Sequence, residues 1–254
     1  MYQKERLDDI LRIVRQNGYV TVKYLVSTLH YSNATVNRDL NALEKQGLVR
    51  RSYGGVETLE PTSSVPLPFR YHKMKAEKLR IGKEASERVK DGDVILMDAS
   101  TTTEYMEQFL EGKKDITVIT NNLLLASHLS ETGIEVICLG GKISERPSMI
   151  YSVETAEFAE RYRADKLFFS TGGLTENGEI LGGGTVGLIL RTMMKNSKES
   201  FFLCDHEKIG IKTKSIEVLV DFSSVTEVIS DYEFDEKVKN LYKDRSEEHT
   251  SELQ

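Results

Sequence analysis

Residues 20–56, VTVKYLVSTLHYSNATVNRDLNALEKQGLVRRSYGGV, decide the fold of the amino-terminal part of the chain. Val22, Leu25, Val26 and Leu29 are spaced as one apolar stripe of a short helix. Tyr31-Ser32-Asn33 follows, with Ser32 a good N-cap, and Val36, Leu40 and Leu43 mark the buried stripe of a further helix that ends at Gly47. Upstream, Leu7, Ile10, Leu11 and Val14 repeat the same spacing over an opening helix that stops at Asn17-Gly18. The outer face of the third helix carries Asn33, Thr35, Asn37, Arg38 and Asn41. These are short or forked hydrogen-bonding side chains rather than the Glu/Lys mixture of an ordinary solvated face, and they suit base edges and phosphates. After Gly47, Arg50 and Arg51 precede Gly54-Gly55, as expected of a tight hairpin with a basic edge that grips phosphate. The pattern predicts a winged helix-turn-helix over 1–56.

Charge separates the two parts of the molecule. Residues 1–56 hold nine Lys/Arg against five Asp/Glu, a net of +4, whereas the whole chain is −6, so the remainder carries −10. A cationic head on an anionic body is expected where only the head meets a polyanion. A three-helix protein-binding module shares the helical pattern and is the plainer alternative.

The spacing Arg6-x3-Ile10-x3-Val14, then seventeen residues, then Ser32-x2-Thr35-Val36-Asn37-Arg38-Asp39-Leu40 resembles the helix-turn-helix of the DeoR family of bacterial transcriptional regulators. The resemblance implies double-stranded operator DNA as the partner, met by Ser32, Asn33, Thr35, Asn37, Arg38, Asn41, Arg50 and Arg51. The family usually has Arg or His where this chain has Asn37. Loss of a cation there is expected to alter the preferred DNA site or weaken phosphate contact, with Arg38, Arg50 and Arg51 remaining.

A chain of 254 residues exceeds the usual single-domain size. Glu57 to Pro68, ETLEPTSSVPLP, holds three of the four prolines and reads as a linker. A second domain is expected over 69–244, opening with a helix from Lys75 to Val89; Phe69, Arg70, Lys78, Ile81 and Ala85 resemble the start of the DeoR-family sensor domain, and the Lys/Glu-rich stretch 72–90 reads as a solvated helix face. No apolar run approaches a membrane span. MYQKERLDD lacks an apolar signal core, so the expected compartment is the cytoplasm. Cys138 and Cys204 sit in apolar runs as inert thiols, not as a disulfide framework. The last ten residues, RSEEHTSELQ, resemble a translated sequencing adapter. The expectation is that 245–254 is a non-native tail and that the natural protein continued past Asp244, with a helix at 235–242 leading to a closing strand.

Apolar runs bounded by turns recur at 94–98, 116–120, 135–140, 166–171, 200–205, 218–222 and 227–230. Most alternate with helical patterns at 103–110, 123–129, 153–161 and 188–195. The expected fold class is therefore α/β, a mostly parallel sheet covered on both faces, with a ligand beyond the carboxyl ends of the strands. Those ends read Asp98-Ala99-Ser100-Thr101-Thr102-Thr103, Thr120-Asn121-Asn122, Gly140-Gly141-Lys142, Ser170-Thr171-Gly172-Gly173 and Asp205-His206-Glu207-Lys208. Ser100, Thr101 and Thr102 at a helix start suit an anion. Asp98, Asn121 and Asp205 suit sugar hydroxyls, and Lys142 and Lys208 suit an anionic group. Any one such end follows from turn geometry alone.

These stretches also resemble the effector domain of the DeoR family, in register with its Asp-x-Gly-Thr-Thr, Val-Thr-Asn, Gly-Gly and Asp-x-x-Lys motifs. The resemblance implies a fold similar to ribose-5-phosphate isomerase and glucosamine-6-phosphate deaminase. It also implies a phosphorylated sugar or related metabolite as effector, bound by Asp98, Ser100, Thr101, Thr102, Asn121, Gly141, Lys142, Gly172, Gly173, Asp205 and Lys208. Ser100 and Ser152 replace family glycines, and GGGTVGLILRTMM (182–194) holds only Arg191 where members place acidic and basic residues, so a different sugar or a ligand with less charge is expected.

No metal spacing, nucleophile elbow or Walker loop occurs, so neither a cofactor nor a catalytic set is expected. The leading reading is a homo-oligomeric repressor of carbohydrate genes. The alternative is a sugar-phosphate isomerase-like or deaminase-like enzyme, since fold alone does not carry function.

Overall fold

A computed structural model describes residues 3–52, 54–58, 73–143, 149–211 and 217–232. The linker expected from Glu57 is corrected at its start, since Glu57 and Thr58 lie in a strand; its remainder, Phe69 and Arg70, the helix expected at 235–242 and the tail at 245–254 lie outside the described residues. The chain forms two compact units, Met1–Lys75 and Ala76–Gln254.

In the first unit, helices α1 (Gln3–Asn17), α2 (Val22–Leu29) and α3 (Asn33–Lys45) follow the apolar spacing. Thr21 caps α2, its hydroxyl accepting from the Tyr24 N–H at 3.1 Å, and Ser32 caps α3 through the Thr35 N–H at 3.1 Å. Ile10, Val14, Leu25, Val36 and Leu40 are fully buried in one core. Three strands close it, β1 (Tyr19–Thr21), β2 (Val49–Ser52) and β3 (Gly55–Thr58), in the antiparallel order β1-β3-β2. The β2–β3 hairpin pairs Ser52 with Gly55, and Gly54 takes φ 71° in its two-residue turn. Strand β1 was not visible in the sequence. Gly55 is fixed by it, because a Cβ there would lie 2.4 Å from the Tyr19 hydroxyl.

In the second unit, α4 (Lys75–Ser86) precedes six parallel strands: β4 (Val94–Met97), β5 (Thr117–Thr120), β6 (Glu135–Cys138), β7 (Ala164–Phe169), β10 (Ser197–Cys204) and β12 (Glu227–Ser230). Their order is β12-β10-β7-β4-β5-β6. The period-2 alternation of buried strands divides the core. Ile95, Met97, Phe168, Phe201 and Leu203 pack with Ile81 and Ala85 of α4. Leu96, Phe169, Phe202 and Cys204 face the other way, onto α7 (Val153–Ala159) and α8 (Gly184–Lys195). Register sets Phe168 against Phe201 and Phe169 against Phe202, with ring centroids 5.0 and 5.3 Å apart.

Three further expectations are corrected. The run at 218–222 forms β11 (Val218–Asp221), outside the parallel sheet. It pairs antiparallel with β9 (Glu179–Leu181), which pairs with β8 (Gly173–Leu174). The helix expected over 103–110 is instead a single turn, α5 (Thr101–Glu104), followed by a 3-10 turn at Glu107–Phe109. The 75–89 stretch is not simply solvated, since Lys78, Ile81, Gly82, Ala85 and Ser86 are buried. A Cβ on Gly82 would lie 2.8 Å from the Tyr105 carbonyl carbon, so the two backbones pack closely. Helix α6 (Leu123–Ser130) matches its expected place.

Candidate functional site

In the first unit, Asn33, Asn37 and Asn41 stand four residues apart on one stripe of α3. Asn33, Arg38 and Asn41 are exposed, while Thr35 and Asn37 are half-buried. Asp39, on the opposite side, is fully buried in an ion pair with Arg6 of α1, whose Nη2 lies 3.0 Å from its Oδ1. This pair holds the helix from behind. Ser32 and Thr35 share their hydroxyls at 2.9 Å within the cap.

The two arginines expected as one basic edge have different surroundings. Arg50 pairs with Glu57, directly opposite on β3, and Lys73 also reaches Glu57 at 3.0 Å. Arg51, next along the strand and therefore on its other face, crosses to α3. Its Nη2 donates to Asn37 Oδ1 at 2.7 Å and its Nη1 to Asn41 Oδ1 at 3.4 Å, while Glu44 accepts from its backbone N–H at 2.9 Å.

In the second unit, β4 leads to β5 and β6 on one side, after which the chain returns to β7 on the other side of β4. The carboxyl ends of β4 and β7 thus flank a topological switch point. Lys208 spans it, its Nζ donating to Thr102 Oγ1 at 3.1 Å and Ser170 Oγ at 2.9 Å, with the Asp205 carboxylate at 3.7 Å. Lys78 of α4 donates from its buried Nζ to Thr101 Oγ1 at 3.2 Å. Ser100 caps α5 through the Thr103 N–H at 3.2 Å. A single helical turn carries little macrodipole, so any attraction of this loop for an anion depends on the two lysines.

Asp98 is buried beneath the same loop and accepts the Thr103 hydroxyl at 2.8 Å. Burial pushes its carboxyl up to about 6, against the lowering effect of hydrogen bonds from Ser100 and Thr103. Asn121 is 4% exposed and donates to the Ile150 carbonyl at 3.0 Å. Its Oδ1 has no hydrogen-bond partner among the described residues. An orphaned buried acceptor is costly and is suited to an incoming hydroxyl.

The glycine and Lys142 expectations fare differently. Gly141 has φ 143°, and a Cβ there would lie 2.2 Å from Thr155 Oγ1, which gives it a packing role against α7. Lys142 is exposed, and its backbone bonds Ser152 and Tyr151. Gly173 is fixed by packing, since a Cβ would lie 2.6 Å from Ile211 Cγ1. Gly172 is exposed beside open space. Lys78 carries no site role in the sequence reading, although its spacing from Ile81 and Ala85 puts it on a buried stripe. His206 adds a bracket at the same edge: its backbone N–H and Nδ1 both meet Asp231, at 2.9 and 2.7 Å, which raises its pKa.

Residues 6–62 match the DeoR-like helix-turn-helix domain, and residues 73–232 match the DeoR C terminal sensor domain. The chain belongs to the DeoR family. It is 34% identical over 214 residues to the HTH-type transcriptional repressor GlcR of Bacillus subtilis, covering 83% of this chain and 82% of that one. It is 31% identical over 216 residues to the glycerol-3-phosphate regulon repressor of Escherichia coli, covering 83% and 84%. The lactose phosphotransferase system repressor of Lactococcus lactis is 33% identical over 216 residues, covering 82% and 84%. These DeoR relatives are named as repressors, so the DeoR-family chain is a transcriptional regulator and the enzyme alternative falls. Ribose 5-phosphate isomerase A of Methanocaldococcus jannaschii resembles 54% of the chain at 20% identity, across 55% of its own length, with a TM-score of 0.41. No helix among the described residues is long and apolar enough to cross a membrane.

Proposed function

We propose that this DeoR-family regulator is a cytoplasmic, homo-oligomeric repressor of carbohydrate genes. In this reading its head, residues 1–56, binds operator DNA and its body, residues 69–244, binds a phosphorylated sugar or a related anionic metabolite. The observation that carries the effector reading is the convergence of Lys78 and Lys208 on the adjacent hydroxyls of Thr101 and Thr102. Two ammonium groups on one hydroxyl loop suit an anion. The orphaned Asn121 Oδ1, with Asp98 and Asp205, suits the hydroxyls of a sugar. Ser100, Thr101 and Thr102 would face the anionic group, with Lys142, Gly141, Gly172 and Gly173 at the rim.

On the head, Asn33, Asn37, Arg38 and Asn41 would meet DNA directly, with Ser32 and Thr35 at the helix start and Arg50 and Arg51 from the hairpin. One head offers few phosphate contacts, whereas a homo-oligomer presents several in register to half-sites one helical turn apart. The effector regulates only if it binds the DNA-competent and DNA-incompetent states unequally.

Calorimetry of the full chain against phosphorylated sugars and their unphosphorylated counterparts tests the effector class. Binding of the phosphorylated members is expected. A preference for the neutral sugars would overturn the assignment of the two lysines.

A further inference from the structure

We infer that Arg51 is a base-reading residue of the recognition helix, supplied from the hairpin, and that it selects a guanine in each operator half-site. The inference rests on the reading of α3 as the helix that enters the major groove. In sequence, Arg51 belongs to the hairpin, where a cation is expected to grip phosphate. In the structure its guanidinium lies on α3, on the same stripe of amides that faces outward, bonded to Asn37 Oδ1 at 2.7 Å and Asn41 Oδ1 at 3.4 Å.

Three features give this arrangement a reading function rather than a bracing one alone. A guanidinium has five N–H donors in a rigid fork. The two amide bonds engage one N–H on each terminal nitrogen, so donors remain for a ligand. Asn37 in turn donates its Nδ2 to the Asn33 carbonyl at 2.9 Å, so both ends of its amide are held and Arg51 is aimed by a fixed partner. The backbone N–H of Arg51 is held by Glu44 of the same helix, which ties the strand to α3 at its root. Arg50 lies on the other strand face, away from the α3 amides, and pairs with Glu57. A preorganised guanidinium on a groove-reading face pairs with the O6 and N7 acceptors of guanine, the commonest specific contact in the major groove. Arg51 thereby brings a cation to the surface on which Asn37 lies.

The test uses the full chain and a duplex selected by it from a randomised library, with a scrambled duplex beside it. Arg51→Lys keeps charge and stem but loses the fork; Arg51→Met loses both. Expected for Arg51→Lys is a loss of roughly tenfold or more in preference for guanine at one position of each half-site, with affinity for the scrambled duplex and the salt dependence unchanged. Replacing that guanine by 7-deazaguanine should weaken the wild type and leave Arg51→Lys indifferent. Equal loss on both duplexes with rescue by lysine and a salt slope reduced by about one would mark a phosphate contact and overturn the inference. Loss on both duplexes with a lowered melting temperature would mark a purely structural role and also overturn it. If the wild type selected no sequence from the library, the reading of α3 itself would fail, a result distinct from either.

Discussion

Lys78 and Lys208, from opposite ends of the sensor unit's sequence, donate to the hydroxyls of neighbouring residues, Thr101 at 3.2 Å and Thr102 at 3.1 Å. Lys208 also bonds Ser170 at the end of β7, so the loop after β4 is held from two sides by cations. Lys78→Met, close in volume and uncharged, should leave DNA binding without effector intact. It should weaken effector binding roughly tenfold or more, the scale of a charge-assisted hydrogen bond. Effector titration of the Lys78→Met protein decides it, and unchanged affinity would remove Lys78 from the site.

Asp98 gives the sensor unit a defined pH response. Its folded-state carboxyl lies at about 6, above the ~3.9 of an unfolded chain, so the folded protein holds this proton more tightly. Its contribution to stability is therefore complete below about pH 4, declines as pH rises toward 6 and is level above that. The decline is on the order of 3 kcal/mol. Asp98→Asn, which retains an oxygen to accept from Thr103, should lose less stability over that interval. Denaturant melts of both proteins at pH 4 and pH 7 compare them, and parallel pH profiles would show that Asp98 is not a buried, raised acid.

Arg38 is exposed on α3, so Arg38→Ala should weaken DNA binding and reduce its salt slope by about one, with the melting temperature unchanged. Arg50→Ala should have the smaller effect on DNA, because Glu57 already opposes its charge. The reverse ranking, read from titrations at two salt concentrations, would reassign the phosphate contact to the hairpin.

Breaking the Arg6–Asp39 pair should act through folding rather than contact. Asp39 is fully buried on the inner face of α3, and Asp39→Ala leaves the Arg6 guanidinium without its carboxylate. A lowered melting temperature with parallel loss of DNA binding is the expected result. Full stability with lost DNA binding would instead place Asp39 at the DNA surface.

Gly173→Ala tests the packing of the segment after β10. Its Cβ would lie 2.6 Å from Ile211 Cγ1 and 3.0 Å from the Lys208 carbonyl. Overpacking of this kind costs about 1–3 kcal/mol, and displacement of Lys208 should weaken the effector response. A variant as stable and as responsive as the wild type would show that the segment yields freely.

The head was legible because its apolar residues keep one period through three helices, with Ser32 and Gly47 as punctuation. The parallel strands were legible because both faces are buried and each strand is a short apolar run. Strands β8 and β9 were hidden by their length, two and three residues, and with them the antiparallel sheet that takes β11. Lys78 was hidden by its Lys/Glu-rich setting. The strand-end loops were readable as a group, but which groups meet depends on strand order: Ser170 reaches Lys208 because β7 lies between β4 and β10. The link from Arg51 to Asn37 joins a strand to a helix through tertiary packing, and no local pattern announces it.

The most direct test measures the affinity of the full chain for its selected operator duplex while a phosphorylated sugar is titrated in, with the unphosphorylated sugar as the parallel arm. The expected result is a change in operator affinity with the phosphorylated compound alone, abolished in Lys208→Met while effector-free DNA binding persists. Operator affinity indifferent to every phosphorylated sugar, or equally responsive to the neutral sugars, would contradict an anion-controlled repressor.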